Sequence, residues 1–256
     1  MIGKYLKQKC KLLSFDFRGH GDNKQSNKDD LSKETLINDT IKVIEFVNKK
    51  KEFNDDPIIL LGHSMGGSIA NFTLEAISNS KKYEELFSKI KGLIIIDVVE
   101  GTAMEALPYM ENIVINRPKE YKTKEEFIEY MVKNNVIQNL ESARISVPSL
   151  IHKNKENYTW KTDLLNSKTY WKGWFKGLTS SFLNVKLPKL LLLAGSERMD
   201  KELTIAHMQG KFQMQVIYNV GHIVHEDNPK NVASILETFL KSFKIPYKLS
   251  SSHSIF

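Results

Sequence analysis

The sequence holds one cysteine, Cys10, in 256 residues. It can therefore form no intramolecular disulfide and no multi-cysteine metal site, and a lone thiol suits a reducing compartment. Arginine is almost as scarce. Arg18, Arg117, Arg144 and Arg198 are the only four among 37 basic residues, so the formal charge of +7 is carried by lysine. Arginine is the side chain of bidentate phosphate and base recognition, and its scarcity argues against nucleic acid as a partner. The lysines are interleaved with acids, as in EYKTKEEFIEY (120–130), which reads as a solvated surface. Long apolar runs are missing too. The longest, near Leu190–Ala194, falls far short of the roughly 18 residues that span a bilayer. The start, MIGKYLKQKCKLL, lacks the apolar core of a signal peptide. No membrane association is expected, and the expected location is cytoplasmic, nuclear or both. With 7 prolines and 13 glycines the chain is neither collagen-like nor of low complexity.

The composition that remains is that of a globular protein, with 41% hydrophobic and 26% charged residues. A chain of this length can bury a core without metals or disulfides, and one domain over 1–256 is expected. Four short apolar segments read as buried strands: KLLSFDF (11–17), PIILLG (57–62), LIIIDV (93–98) and KLLLLAG (189–195). A fifth, FQMQVIYNV (212–220), alternates less cleanly. Runs without period-2 alternation suit strands covered on both faces, the pattern of a parallel sheet. Helical periodicity lies between them, over 31–48 with Ser32 as N-cap, over 65–77 directly after the second strand, and over 228–243 at the end. Alternating strands and helices indicate an α/β fold with flanking helices. The interval from Asp97 to Leu190 has no clear strand and is too long for a connection, so a helical cap is expected over about 101–186. The stretch 78–89 reads as an exposed insertion and 250–256 as a loose tail.

One motif carries chemistry. LLGHSMGGSIA (60–70) contains Gly62-His63-Ser64-Met65-Gly66, the G-x-S-x-G pattern of a nucleophile elbow. The bare pattern arises often by chance; here an apolar strand ends at the motif and an apolar-periodic helix begins after it. That arrangement exposes Ser64 on a sharp turn, with the Met65 N–H at a helix N-terminus able to bind a developing oxyanion. The flanking glycines are expected to let the backbones pass closely. A serine needs a base, and His222 in YNVGHIVHED (218–227) follows the last strand and precedes the last helix, with His225 as competitor. His63 is expected to be structural and His20 to shape its loop. An orienting acid is offered by two strand ends, by Asp97 or by Glu197 and Asp200; spacing alone favours the second group, while the residues themselves leave both open. No metal and no organic cofactor is required.

The chain resembles the protein phosphatase methylesterases, α/β-hydrolases that remove the methyl ester from the C-terminal leucine of the phosphatase 2A catalytic subunit. The resemblance runs over about residues 10 to 244. It rests on FDFRGHGDNK (15–24), LLGHSMGGSIA, IIDVVEGTAMEAL (95–107), RPKEYKT (117–123), IQNLESARISVP (137–148), YTWKTDL (158–164), YWKGWFKGL (170–178), LPKLLLLAGSERMDKELTIAHMQGKFQMQV (187–216) and GHIVHED (221–227). It implies Ser64 as nucleophile, His222 as base and Asp97, rather than Asp200, as acid. It implies a methylated phosphatase C-terminus as substrate. Trp160, Trp171 and Trp174, beside Tyr170 and Phe175, are a candidate wall for the incoming peptide, with helical core the favoured reading for any single one of them. A catalytically impaired phosphatase-binding protein and a small-molecule carboxylesterase are the alternatives.

The chain departs from the resemblance at its front. No HGGG-like loop, the source of a second oxyanion donor, precedes Ser64. The resemblance places the strand bearing that loop between the segments 11–17 and 57–62, so the N-terminal strands, one of them central, are expected to be missing from an N-terminally incomplete chain.

Overall fold

The computed structural model describes residues 1–23, 29–53, 56–195 and 199–245. Glu197 and the tail 250–256 lie outside them. In chain order the elements are α1 (Ile2–Leu6), α2 (Lys33–Asn48), β1 (Ile58–His63), α3 (Met65–Ser78), α4 (Glu84–Lys89), β2 (Ile90–Ile96), α5 (Glu100–Asn116), β3 (Glu120–Tyr121), α6 (Lys124–Lys133), α7 (Leu140–Leu150), β4 (Ile151–Asn154), β5 (Asn157–Trp160), α8 (Lys168–Phe175), α9 (Leu178–Asn184), β6 (Lys189–Leu193), α10 (Lys201–Met208), β7 (Gln213–Val216), α11 (Val224–Asp227) and α12 (Pro229–Ser242). Contacts divide them into two units. One comprises Phe17–Pro118 and Thr162–Ile217, the other Met1–Asp16, Lys119–Lys161 and Tyr218–Phe256.

The first unit is built on a parallel sheet of order β1-β2-β6-β7. The strands at its centre, β2 and β6, are apolar without a break over 93–96 and 190–193, and Leu93, Ile96, Leu192 and Leu193 are fully buried. Burial on both faces is what removes period-2 alternation from their sequence. Helix α2 begins where Ser32 accepts the Thr35 N–H at 3.4 Å, and it turns Leu36, Ile41 and Ile44 into the core. Lys189 opens the buried strand β6. Its amine reaches the C-terminal turn of α9, donating to the carbonyls of Phe182 and Val185, where the helix leaves acceptors without donors. Burial lowers its pKa to about 8.

The second unit has its own apolar cluster of Phe127, Met131, Ile137, Ala143, Val147 and Ile151, contributed by α6, the connection after it, α7 and the start of β4. Against it lies a small antiparallel sheet of order β3-β5-β4. Phe127 meets Tyr121 at 4.4 Å and Trp160 at 5.0 Å, both edge to face. Helix α12 starts where Asn228 accepts the Asn231 N–H, and it packs on α1.

Three expectations are corrected. Residues 11–17 form no strand: Leu12, Leu13 and Phe15 are 52%, 51% and 39% exposed. An apolar run reports a preference for burial, but a strand exists only when a neighbouring backbone completes its ladder. The cap interval is not purely helical, because β3, β4 and β5 lie within it. They are two to four residues long, too short for a period-2 signal to register. The stretch 78–89 is also more ordered than an open insertion. It folds into a short 3-10 turn and α4, burying Leu86 just before β2.

Candidate active site

Ser64 lies between β1 and α3 with φ +52° and ψ −125°, a conformation that costs a non-glycine residue about 1–3 kcal/mol. Three backbone bonds hold it there. Its N–H donates to the Ile96 carbonyl at the end of β2, and its own carbonyl accepts from Gly67 and Ser68 at the start of α3. The hydroxyl makes no capping bond to the helix, which leaves it available for chemistry. Met65 is the first residue of α3, so its N–H has no acceptor within the helix and projects from the positive end of the helix dipole.

The glycines divide the steric work unequally. A Cβ on Gly62 would stand 2.2 Å from the Gly66 carbonyl oxygen and 2.4 Å from the Gly67 nitrogen. A Cβ on Gly67 would meet the Gly62 oxygen at 2.9 Å. A Cβ on Gly66, by contrast, would find only the Phe17 ring, at an ordinary 3.9 Å. The close passage therefore depends on Gly62 and Gly67, and the glycine two residues after the serine is not sterically required.

Asp97 follows β2 as Ser64 follows β1, and the final register pair of the two strands is His63 with Ile96. Both residues thus leave the carboxyl ends of adjacent parallel strands, where α/β sheets place their ligands. Asp97 has φ +52° and is 3% exposed. Its N–H donates to Leu192, and its Oδ1 accepts the Ala194 N–H at 2.8 Å, so the carboxylate is held between the ends of β2 and β6. Asp200 is engaged differently. Its Oδ2 accepts the Thr179 hydroxyl at 2.8 Å and the Gly101 N–H at 3.3 Å, pinning the starts of α9 and α5. A Cβ on Gly101 would fall 2.2 Å from Asp200 Oδ1. Glu100 completes the clamp by accepting the N–H groups of Gly177 and Thr179.

His20 contacts the Arg18 carbonyl through Nδ1 at 3.0 Å, while Arg18 forks onto Asp39 at 2.5 and 2.8 Å, so the loop around His20 is internally braced. Trp171 and Trp174 are each 3% exposed. Their indole N–H groups are already used, by Ser167 Oγ and by the Leu31 carbonyl. These two side chains are core, and their burial leaves no face for a peptide. Trp160 packs on Phe127 in the second unit.

His222 belongs to the second unit and stands exposed in the loop before α11. The loop is gripped from below: the Gly221 N–H donates to Asp227 Oδ2 at 2.7 Å. Nothing in the motif reading had singled out Asp227. His225 is half-buried, and burial, followed by the Met1 amino charge and His222, pushes its imidazole down to about 4. It is therefore neutral and a weak base near pH 7. The sign of the consequence follows from linkage. With 6.5 as the unfolded value, the unfolded chain takes up this proton first on acidification, so stability falls between about pH 6.5 and 4. The full effect is up to about 3 kcal/mol. Urea unfolding of the protein and of His225→Asn at pH 7, 5.5 and 4 should show the variant losing less stability over that range; parallel curves would refute it.

Among the described residues no group of acids, histidines and cysteines could hold a metal ion, and no helix is long and apolar enough to cross a membrane.

The alpha/beta hydrolase family matches residues 3–235. The mouse protein phosphatase methylesterase 1 is 40% identical over 276 aligned positions, covering 90% of this chain and 68% of the mouse protein. The probable protein phosphatase methylesterase 1 of Caenorhabditis elegans is 43% identical, over 90% of this chain and 61% of its own. Among solved structures, E-2-(acetamidomethylene)succinate hydrolase superposes with a TM-score of 0.67 at 17% identity, covering 88% of this chain and 80% of that one. A peroxisomal alpha-beta-hydrolase from Saccharomyces cerevisiae gives 0.66 at 15% identity, covering 99% and 76%. At those identities the structural likeness speaks for the fold.

Proposed function

The chain belongs to the protein phosphatase methylesterase family, and from that premise we propose that it is a serine carboxylesterase that removes the methyl ester from the C-terminal leucine of the phosphatase 2A catalytic subunit. The observation that carries the reading is Ser64, held in a left-handed turn at the head of α3, with Asp97 at the end of the neighbouring strand.

The chemistry is acyl transfer through a Ser64-His222-Asp97 triad. His222 takes the Ser64 proton as the hydroxyl oxygen attacks the ester carbonyl. The carbonyl oxygen becomes an oxyanion and accepts from the Met65 N–H. The tetrahedral intermediate collapses, the C–O bond to the methoxy group breaks, and His222 returns the proton so that methanol leaves. Water, deprotonated by His222, then attacks the acyl-enzyme; the proton goes back to Ser64 and the leucine carboxylate is released. Asp97 holds the imidazole in its working tautomer, and its fixed carboxylate suits a group whose value lies in orientation.

The test supplies methylated phosphatase 2A catalytic subunit to the purified chain and follows methanol release and the free C-terminal carboxylate. Asp97→Ala is expected to lower kcat about 10³–10⁴-fold. Asp200→Ala should leave kcat within a few-fold while costing about 1–3 kcal/mol of stability, because it strips partners from the starts of two helices. Absence of demethylation by the intact chain would sink the proposal. Collapse of kcat in Asp200→Ala alone would transfer the acid's role to that residue.

A further inference from the structure

We propose that Asp227 is a positioning residue for His222, fixing the histidine's loop to the backbone that leads into α7. The inference rests on His222 as base and adds a residue that the triad does not contain. The carboxylate is divided between two backbone donors. Oδ2 accepts the Gly221 N–H at 2.7 Å and Oδ1 accepts the Gln138 N–H at 2.7 Å. Both are short, charge-assisted bonds.

Each end of this bridge is anchored. Gln138 follows Ile137, which is 1% exposed in the cluster of α6 and α7. Asp227 ends α11, which has four residues and cannot hold its own conformation. It is held by α7 instead: the Ser142 hydroxyl donates to the Glu226 carbonyl and the Ser146 hydroxyl to Glu226 Oε1, each at 2.6 Å. On the other side of the histidine, Ile223 packs against the same apolar cluster. The residues before and after His222 are therefore both immobilised while its ring stands exposed. The passage is also tight. A Cβ on Gly221 would stand 3.2 Å from Asp227 Oδ2 and 3.4 Å from the Asn135 carbonyl. The stretches IQNLESARISVP and GHIVHED are thus one hydrogen-bonded assembly, with His222 at its outer surface.

Displacing a general base by about 1 Å can cost roughly 10²-fold in rate with little effect on binding. Asp227→Ala removes both acceptors and is expected to lower kcat about 10–100-fold per active site, counted by fluorophosphonate labelling of Ser64 to completion, with KM within about twofold. Asp227→Asn keeps one acceptor and should fall between. Gly221→Ala perturbs the same grip from the loop side and should lower kcat several-fold; it serves if Asp227→Ala does not fold. The double variant His222→Ala/Asp227→Ala should be no slower than His222→Ala alone, since a residue acting through the histidine has nothing to act on once it is gone. Unchanged kcat per active site in both Asp227→Ala and Gly221→Ala would overturn the proposal, as would multiplicative losses in the double variant. Full activity in His222→Ala is the separate result that removes the base assignment itself.

Discussion

Replacement of Ser64 by alanine is expected to lower ester turnover about 10⁶-fold, to the residue left by binding and the oxyanion donor. Stability should change little, because the hydroxyl makes no capping bond to α3 and alanine meets the same backbone constraint as serine. The stronger form of the test is Ser64→Gly. Glycine adopts φ +52° without the Cβ penalty, which is about 1–3 kcal/mol here, but it loses about 0.5–1 kcal/mol through the freedom of the unfolded chain. The inactive glycine variant should therefore be more stable than the active protein, by up to about 2 kcal/mol. Urea unfolding beside methanol-release kinetics checks both. Fluorophosphonate labelling should vanish in either variant. Labelling that persists elsewhere would expose a different nucleophile, and a glycine variant less stable than the parent would remove the claim of strain.

The second large effect concerns Gly62 and its contrast with Gly66. A Cβ on Gly62 would penetrate the Gly66 carbonyl oxygen at 2.2 Å, and the atoms it meets are backbone at a helix start, unable to rotate away. Gly62→Ala is expected to cost more than about 4 kcal/mol, enough to leave little folded protein. Gly66→Ala, in the same motif and by the same change, has room beside Phe17 and lies inside α3, where alanine gains up to about 1 kcal/mol over glycine. Soluble yield, thermal midpoint and circular dichroism separate the two. Equal destabilisation would mean that both glycines take part in the crossing.

The parts legible in the sequence were those where one local signal and one long-range demand coincide. The strand over 57–62, the helix over 65–77 and the serine between them announced themselves because burial, periodicity and the glycine turn all point to one geometry. The capping serine of α2 and the amphipathic last helix were readable for the same reason. What stayed hidden depends on partners distant in the chain. Residues 11–17 carry a strand's apolar pattern but no ladder, since periodicity cannot report whether a neighbouring backbone is present. Asp97 and Asp200 are both acids after strands. Their distinction lies in who donates to them, Ala194 in one case and Thr179 with Gly101 in the other, which no spacing encodes. Trp171 and Trp174 read as core or as a binding wall, with core favoured, and only their burial and the commitment of their indoles to Ser167 and Leu31 make them core. Asp227 was invisible because an acid on a short loop helix has no signature until its two acceptor oxygens are traced to Gly221 and Gln138.

Among the described residues the strand that delivers Ser64 is also the terminal strand of its sheet: β1 pairs with β2 alone, and Leu61 is 44% exposed. Apolar edge strands are templates for intermolecular pairing, and this one has neither the lysine nor the proline that commonly blunts such an edge within its span. Concentrated solutions of the chain should for that reason be prone to cloud, and the first face to be buried in such clusters would be the one next to the nucleophile, so that activity per milligram would decline with dose before any unfolding was visible.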